Sequence, residues 1–360
     1  MSKPLIRIAI IAYFLGLLSS VSQFSMAEEF RWNEVTTGTT VSLRGLSAAD
    51  DGSVWAGGKG EVLMSRDQGR TGTWRAIAVS GFEELEFRSV HAWNADRVCI
   101  ASAGTPAVIL LTEDGGTTWS EAYRDPSPQA FFDALAFAGA VSQTLAELTH
   151  QHGYALSDPV DGQWLLLETF NGGRDWLKVE HAPKALEKEA AFAASNGSLA
   201  LWDTHLWLGT GGATTSPKDN LLQWDGDRWQ RKTSSIASGE SAGVFAVHFW
   251  SSDLGVALGG DYKQEDDATV GASWTEDGGN TWHPSFKHPS GFRSSVCSVP
   301  SDETTTLFAV GPNGTDRSYD GKNWERISET GFHTIRAFPD GTLIAVGSNG
   351  RFGWCKPKTK

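Results

Sequence analysis

From residue 43 to the end of the chain, apolar runs of about five residues alternate with clusters of Gly, Asp and Asn, a strand-and-turn pattern rather than a helical one. No segment sustains a 3.6-residue apolar period, except for a brief stretch at Ala185–Ala190. The pattern is clearest at 87–125: it predicts strands at Phe87–Ala92, Arg97–Ala101 and Val108–Thr112, and a fourth from Trp119, with turn residues between them. An all-β chain follows.

Self-similarity organises these strands. TEDGGTTW at 112–119 and TEDGGNTW at 275–282 are nearly the same octet, and SRDQGRTGTW, TFNGGRDW, QWDGDRW and SYDGKNW are looser copies. Their closing residues are Trp74, Trp119, Trp176, Trp229, Trp282 and Trp324, spaced by 45, 57, 53, 53 and 42 residues, and Trp32 stands 42 before Trp74. Each unit reads as four strands. After Trp324 the chain offers Thr334–Phe338, Thr342–Gly347 and Arg351–Trp354 and no fourth strand, while Arg31–Thr36 is a lone strand near the start. Pairing that N-terminal strand with the last three closes a ring and hides the sheet edges. The prediction is a seven-bladed β-propeller of four antiparallel strands per blade, its last blade completed by the N-terminal strand.

Composition narrows the picture. With 43 acidic residues against 30 basic ones and a net charge of −13, binding to nucleic acid through bulk charge is excluded. Lys3 and Arg7, the apolar run Ile8–Leu18 and Ser25-Met26-Ala27 form an export signal, with cleavage expected after Ala27 and a single propeller over 28–360. The expected product is a monomer in the periplasm or secreted, with no membrane segment after signal removal. Cys99, Cys297 and Cys355 are too few for a disulfide framework, and an odd count leaves at least one buried free thiol. No Cys/His spacing indicates a metal, and His150 and His152 read as surface histidines without nearby carboxylates. No G-x-G-x-x-G follows a strand and no haem ligand pair occurs, so no cofactor is expected.

The octet resembles the Asp-box, or bacterial neuraminidase repeat, S/T-x-D-x-G-x-T-W, of sialidases, some endoglucanases, sortilin-type receptors and the photosystem II assembly and stability factors. The resemblance implies that the box is the turn between third and fourth strands, with its Asp capping backbone amides and its Trp wedged between blades. Asp67, Asp114, Asn171, Asp225, Asp277 and Asp320 are then structural, as turn chemistry already explains them. In size the chain is similar to exported single-propeller bacterial relatives of the photosystem factors, loosely described as oxidoreductases, through FRSV, FFDALAF, ALSDPVDG, ASGESAG and ALGGDY.

Function is sought at the innermost strands, which line the channel. Matching LRGL, FRSV, FDAL, FRSSV and IRAF places Arg44, Arg88, Arg293 and Arg336 in one register, with Asp133 there in blade three. Four guanidinium groups on an otherwise acidic protein make an anion or carboxylate site. Adjoining loops add Asp158, Glu240, Asp261 and Tyr262. Two functions compete. One is a scaffold docking a protein partner of the cell envelope through the arginine face, with Glu240 beside it. The other is a glycoside hydrolase or binder of an anionic glycan, with Asp133, Asp158, Asp261 and Tyr262 as catalytic candidates. A non-enzymatic role is the expectation, with glycoside hydrolysis ranked above redox chemistry.

Overall fold

A strand covered on both faces reads as an unbroken apolar run, and Val98–Ser102 and Ala107–Thr112 are buried at every position. The computed structural model, which describes residues 30–138, 151–213, 215–300 and 304–357, shows why. Its strands form seven four-stranded antiparallel sheets stacked face to face as the blades of a propeller, and both faces of each middle strand meet a neighbouring blade. The inner strands are Gly45–Ala48, Phe87–Ala92, Phe132–Phe137, Leu199–Trp202, Ala242–Phe249, Ser295–Pro300 and Thr334–Ala337, in blades one to seven. Blade seven is completed by Asn33–Thr36, which pairs with Arg351–Cys355 in the register Asn33↔Trp354 and Thr36↔Arg351. The outer strands face solvent, as in Ser120–Asp125, where only the last residue is buried.

Apolar packing lies between blades. One cluster joins Trp55, Val62 and Met64 of blade one to Phe87, Ile100 and Leu110 of blade two, and similar clusters join blades two to three and seven to one. The repeated turns lock these layers. Asp114 Oδ1 accepts from the Thr118 amide at 2.9 Å and Oδ2 from the Thr118 hydroxyl at 2.6 Å, while the Gly116 amide donates to Thr112 Oγ1 at 2.8 Å. Those bonds hold the Asp114 carboxyl down at about 2. Asp277 repeats the arrangement with Thr281 and Thr275, and Asn171 replaces it with bonds to the Asp175 amide and side chain. Gly116 has φ +81°, and a Cβ there would press on Ile77 of blade one at 3.0 Å. The closing indoles reach the adjoining blade: Trp74 meets Phe352 edge-on at 4.8 Å and Trp119 meets Trp55 at 6.5 Å.

Three sequence expectations change. Ala185–Ala190 forms turns and an isolated bridge rather than a helix, because its backbone groups are used by Gly162, Gly211 and the Glu189 side chain. His152 does have a carboxylate partner: its Nε2 lies 2.7 Å from Glu168, and its ring stacks on Phe170. Two adjacent strands bring the pair together across 16 residues, which spacing alone did not reveal. Third, the inner-strand arginines do not stand in one register. His150 and the expected export segment 1–27 lie outside the described residues. Cys99, Cys297 and Cys355 are all free and buried, and burial raises each thiol, that of Cys297 to about 12.

Candidate functional site at the channel mouth

The end of the propeller where the inner strands begin gathers the loops between blades, and the cross-strand ladders define which residues stand level there. Arg44, Ser294 and His333 each precede the first paired residue of their strand, and their amides bond to Gly57, Val310 and Val346. Arg88, Asp133 and Phe245 occupy the same level as bulged residues in blades two, three and five. The ring is therefore Arg44, Arg88, Asp133, Phe245, Ser294 and His333, plus a position in blade four. Arg293 falls one residue before this level and Arg336 three after it, so the four arginines do not share one register. Matching apolar letters cannot detect a one-residue slip, whereas a bulge or an extra serine such as Ser294 moves a side chain to the other face.

The arginines consequently do different work. Arg293 is fully buried: Nε donates to Asp316 Oδ2 at 2.5 Å, and Nη1 donates to the Phe292 carbonyl and Asn313 Oδ1, both at 2.7 Å. Arg336 lies inside the channel and crosses it, with Nη2 donating to the Ser195 carbonyl at 2.9 Å and Nη1 to the Ile335 carbonyl at 2.8 Å. Arg88 is partly exposed and paired with Glu86, its Nε donating to Oε2 at 2.6 Å. Arg44 is half-buried and makes no side-chain hydrogen bond or ion pair among the described residues. Burial and then Arg88 pull its guanidinium below the ordinary arginine range, with Glu86 opposing. Next to it, His333 Nε2 lies 3.3 Å from Ser42 Oγ and 3.0 Å from Ser348 Oγ; burial, Arg44, Arg88 and Arg351 hold the imidazole neutral, down to about 3.

The channel does not run open below this ring. The connection from blade three to blade four threads residues 193–197 into it. Asn196, at φ +60°, receives the Leu135 amide on Oδ1 at 2.6 Å and donates to the Leu135 carbonyl at 3.0 Å. Ser195 Oγ donates to the Ser294 carbonyl at 2.5 Å, and the Gly197 carbonyl takes the Val247 amide at 2.9 Å. With Arg336 on Ser195, this plug ties together blades three, five, six and seven.

The carboxylate candidates do not converge. Asp133 is fully buried and neither oxygen finds a partner among the described residues; burial and then Asp158 raise its carboxyl well above the usual range, against Arg88. Asp158 is partly exposed in a depression of about 410 Å³, accepts the Ala191 amide at 2.9 Å, and is raised by burial to about 6. Asp261 belongs to a turn, where burial would raise it but Ser241, the Lys263 amide and Gln264 hold it low. Glu240 is exposed on the loop into blade five. Tyr262, 43% exposed, stands edge-on to Phe192 and Phe245, which stack on each other at 3.9 Å. The mouth thus has a cationic side at blades one and two and an aromatic side at blades four to six, which sequence matching missed because Phe192 and Phe245 look like ordinary core residues. Among the described residues no group of three or more His, Cys, Asp or Glu is placed to hold a metal ion. No helix among them is long and apolar enough to cross a membrane.

Fold and mouth define the class: a seven-bladed β-propeller with a plugged channel. No family model and no curated protein sequence matches the chain. Among solved structures it is similar to YCF48 bound to a D1 peptide, at TM-score 0.61 and 16% identity over 92% of this chain and 98% of that one. It is also similar to YCF48 from Cyanidioschyzon merolae, at TM-score 0.60 and 18% identity over 92% and 100%. A third similar structure is the Niastella koreensis GH74 enzyme, at TM-score 0.55 and 13% identity, where 85% of this chain spans 51% of that one. At such identities the likeness concerns the fold.

Proposed function

We propose that this chain is an exported propeller of the Asp-box type that binds a protein partner at the channel mouth. The observation that carries this reading is Arg44, a half-buried guanidinium with no hydrogen-bond or ion-pair partner among the described residues, beside Arg88 and across from Tyr262, the exposed ring of an otherwise covered aromatic cluster. The plug supports it, since a mouth floored by residues 193–197 offers a broad surface to a polypeptide rather than a deep hole. The YCF48 structure with a bound D1 peptide is a similar propeller holding a polypeptide. Arg44 and Arg88 would receive a carboxylate, and Tyr262 an apolar residue, of the same segment. Catalysis is disfavoured by the geometry of the acids: Asp133 is sealed from solvent and Asp261 is committed to a turn. The export signal at 1–27 belongs to this proposal and is tested by N-terminal sequencing of the mature protein, where a start at Glu28 is expected.

The test is capture of partners from the host's envelope extract with the mature protein and with an Arg44→Glu, Arg88→Glu double variant. Both sites are partly exposed, so the thermal midpoint should move little while capture is lost. Equal capture by the two proteins overturns the reading. An empty wild-type lane together with binding of an anionic glycan would favour the second reading, a glycan-binding mouth.

The carboxyl pair adds a pH signature. A carboxyl raised on folding binds its proton more tightly in the native state, so its contribution to stability falls as pH rises from the ordinary carboxyl value to about 6, the level of Asp158. The turn carboxylates, held low, act in the opposite sense and at lower pH. His91, His248 and His333, held neutral by burial, act in the opposite sense over the same range, so the contribution of Asp158 is read as a difference. The urea midpoint of Asp158→Asn minus that of the wild type should increase from pH 4 to 7, and a constant difference would refute the assignment.

A further inference from the structure

At the mouth end of blade three, a depression of about 410 Å³ lies between the hairpin at 158–162 and the 185–190 segment that leads to blade four. We infer that it receives a basic side chain of the bound polypeptide, a lysine ammonium or an arginine guanidinium, with Asp158 as the acceptor. The inference rests on the reading of the mouth as a polypeptide site and names a second charge that the partner carries.

A carboxyl pair without a cation is the reason. Among the described residues four acids are more than nine-tenths buried, and three of them have a cation of their own. Lys178 Nζ lies 2.9 Å from Asp125, Arg231 Nη1 lies 2.6 Å from Glu189, and Arg293 pairs with Asp316. The fourth, Asp133, has no partner on either oxygen. It is the extra residue of a bulge in the ladder opposite Leu156 and Ser157, beside Asp158, whose charge adds to its own rather than relieving it. The field of Arg88 reaches Asp133, but that guanidinium is bonded to Glu86 at 2.6 Å. A buried carboxyl in this position is a cost to the fold unless it keeps its proton or a cation comes to the pair.

Asp158 is the point of access. Unlike Asp133 it is partly exposed and lines the depression. Its amide donates to the Phe131 carbonyl at 3.1 Å, which holds it at the start of the inner strand, and its Oδ1 accepts the Ala191 amide at 2.9 Å. Its Oδ2 has no hydrogen bond among the described residues. Pro159, Leu186 and Ala190 give apolar wall for the alkyl stem of a lysine or arginine, and Gln129 a polar edge. Lys188 lines the depression too, but it is exposed and forms no ion pair with Asp158. A divalent metal ion fits less well. It takes about six oxygens or more, and no third His, Cys, Asp or Glu among the described residues joins the two carboxyls in a group that could hold one. A basic side chain carries donors only, and one carboxylate with a few neutral acceptors serves it. With Arg44 and Arg88 in blades one and two and Asp158 in blade three, the mouth presents charges of both signs, which fixes the direction of a segment that bears an acid and a base.

Binding is measured on the intact mature protein by saturation-transfer NMR at pH 8, where Asp158 is ionised. The probes are Nα-acetyl-lysine methylamide and Nα-acetyl-arginine methylamide, with the norleucine analogue as the neutral isostere. At least one basic probe should bind with a Kd of about 1–10 mM, and the norleucine analogue should not. Asp158→Asn should weaken that binding about tenfold or more, since asparagine still accepts the Ala191 amide and removes only the charge. Asp203→Asn, at an exposed acid in the turn after the inner strand of blade four, should leave it unchanged. Absence of basic-probe binding at about 20 mM overturns the proposal, as does equal binding of the norleucine analogue or binding insensitive to Asp158→Asn. A thermal midpoint raised by calcium chloride in the wild type but not in Asp158→Asn overturns it in favour of a metal ion. Capture from the envelope extract separates this inference from the reading it rests on. Loss of the partner in the Arg44→Glu, Arg88→Glu variant together with full capture by Asp158→Asn keeps the mouth as a polypeptide site and overturns the basic side chain.

Discussion

Replacing Asp316 by alanine should lower the stability of this propeller by about 3–5 kcal/mol, the cost of leaving a buried charge without its partner. Arg293 and Asp316 are both fully inaccessible in blade six, and no water reaches the guanidinium to take over from the carboxylate. Asp316 also anchors the entry to the blade, since its Oδ1 receives the Ser290 amide at 3.2 Å and the Ser290 hydroxyl at 2.9 Å. A urea titration at pH 7 followed by circular dichroism reads the change as a shift of midpoint at unchanged slope. Glu86→Ala is the internal comparison: its partner Arg88 is partly exposed, so the loss should stay below about 1 kcal/mol. Similar losses in both variants would show that the Arg293 pair is not sealed as described. The same contrast explains why Arg293 is unsuitable for probing the mouth. Its substitution would damage blade six before it tested any partner.

Trp324→Ala should be comparably severe, at about 3–5 kcal/mol. The indole is 1% exposed, packs where blades five and six meet, and donates Nε1–H to the Gly321 carbonyl at 3.1 Å. Truncation opens a cavity between two blades that are each braced by their other neighbours, so little collapse can fill it. Trp229→Ala offers the contrast, because Trp229 is only half-buried and packs on Trp224 of its own blade at 5.6 Å. A midpoint shift for Trp324→Ala no larger than that for Trp229→Ala would contradict the packing.

Blade number and closure were legible in the sequence because both depend on local chemistry. The period of the closing tryptophans counts the blades, and Asp114-Gly115-Gly116 declares a turn whatever surrounds it. The observed strands differ from the expected ones by a residue or two, as at Val98–Ser102 against 97–101, because strand ends depend on which carbonyl the neighbouring strand presents. The site was less legible. Arg44 and Arg88 stand at one level of adjoining inner strands, while Arg293 and Arg336 were drawn into the same set by apolar strings that look alike in any register. Nothing in GTDRS marks Asp316 as the partner of an arginine 23 residues earlier, and nothing in AASNG marks a segment that would fill the channel.

By itself, then, the sequence determined a ring of seven four-stranded blades, because side-chain alternation, turn residues and the repeat act over a few positions. Only the tertiary structure decided which arginine is sealed, which crosses the channel to Ser195 over 141 residues, and which stands unpartnered at the mouth. Those outcomes rest on bulges and on contacts between distant blades, where a displacement of one residue moves a guanidinium from solvent into a buried ion pair.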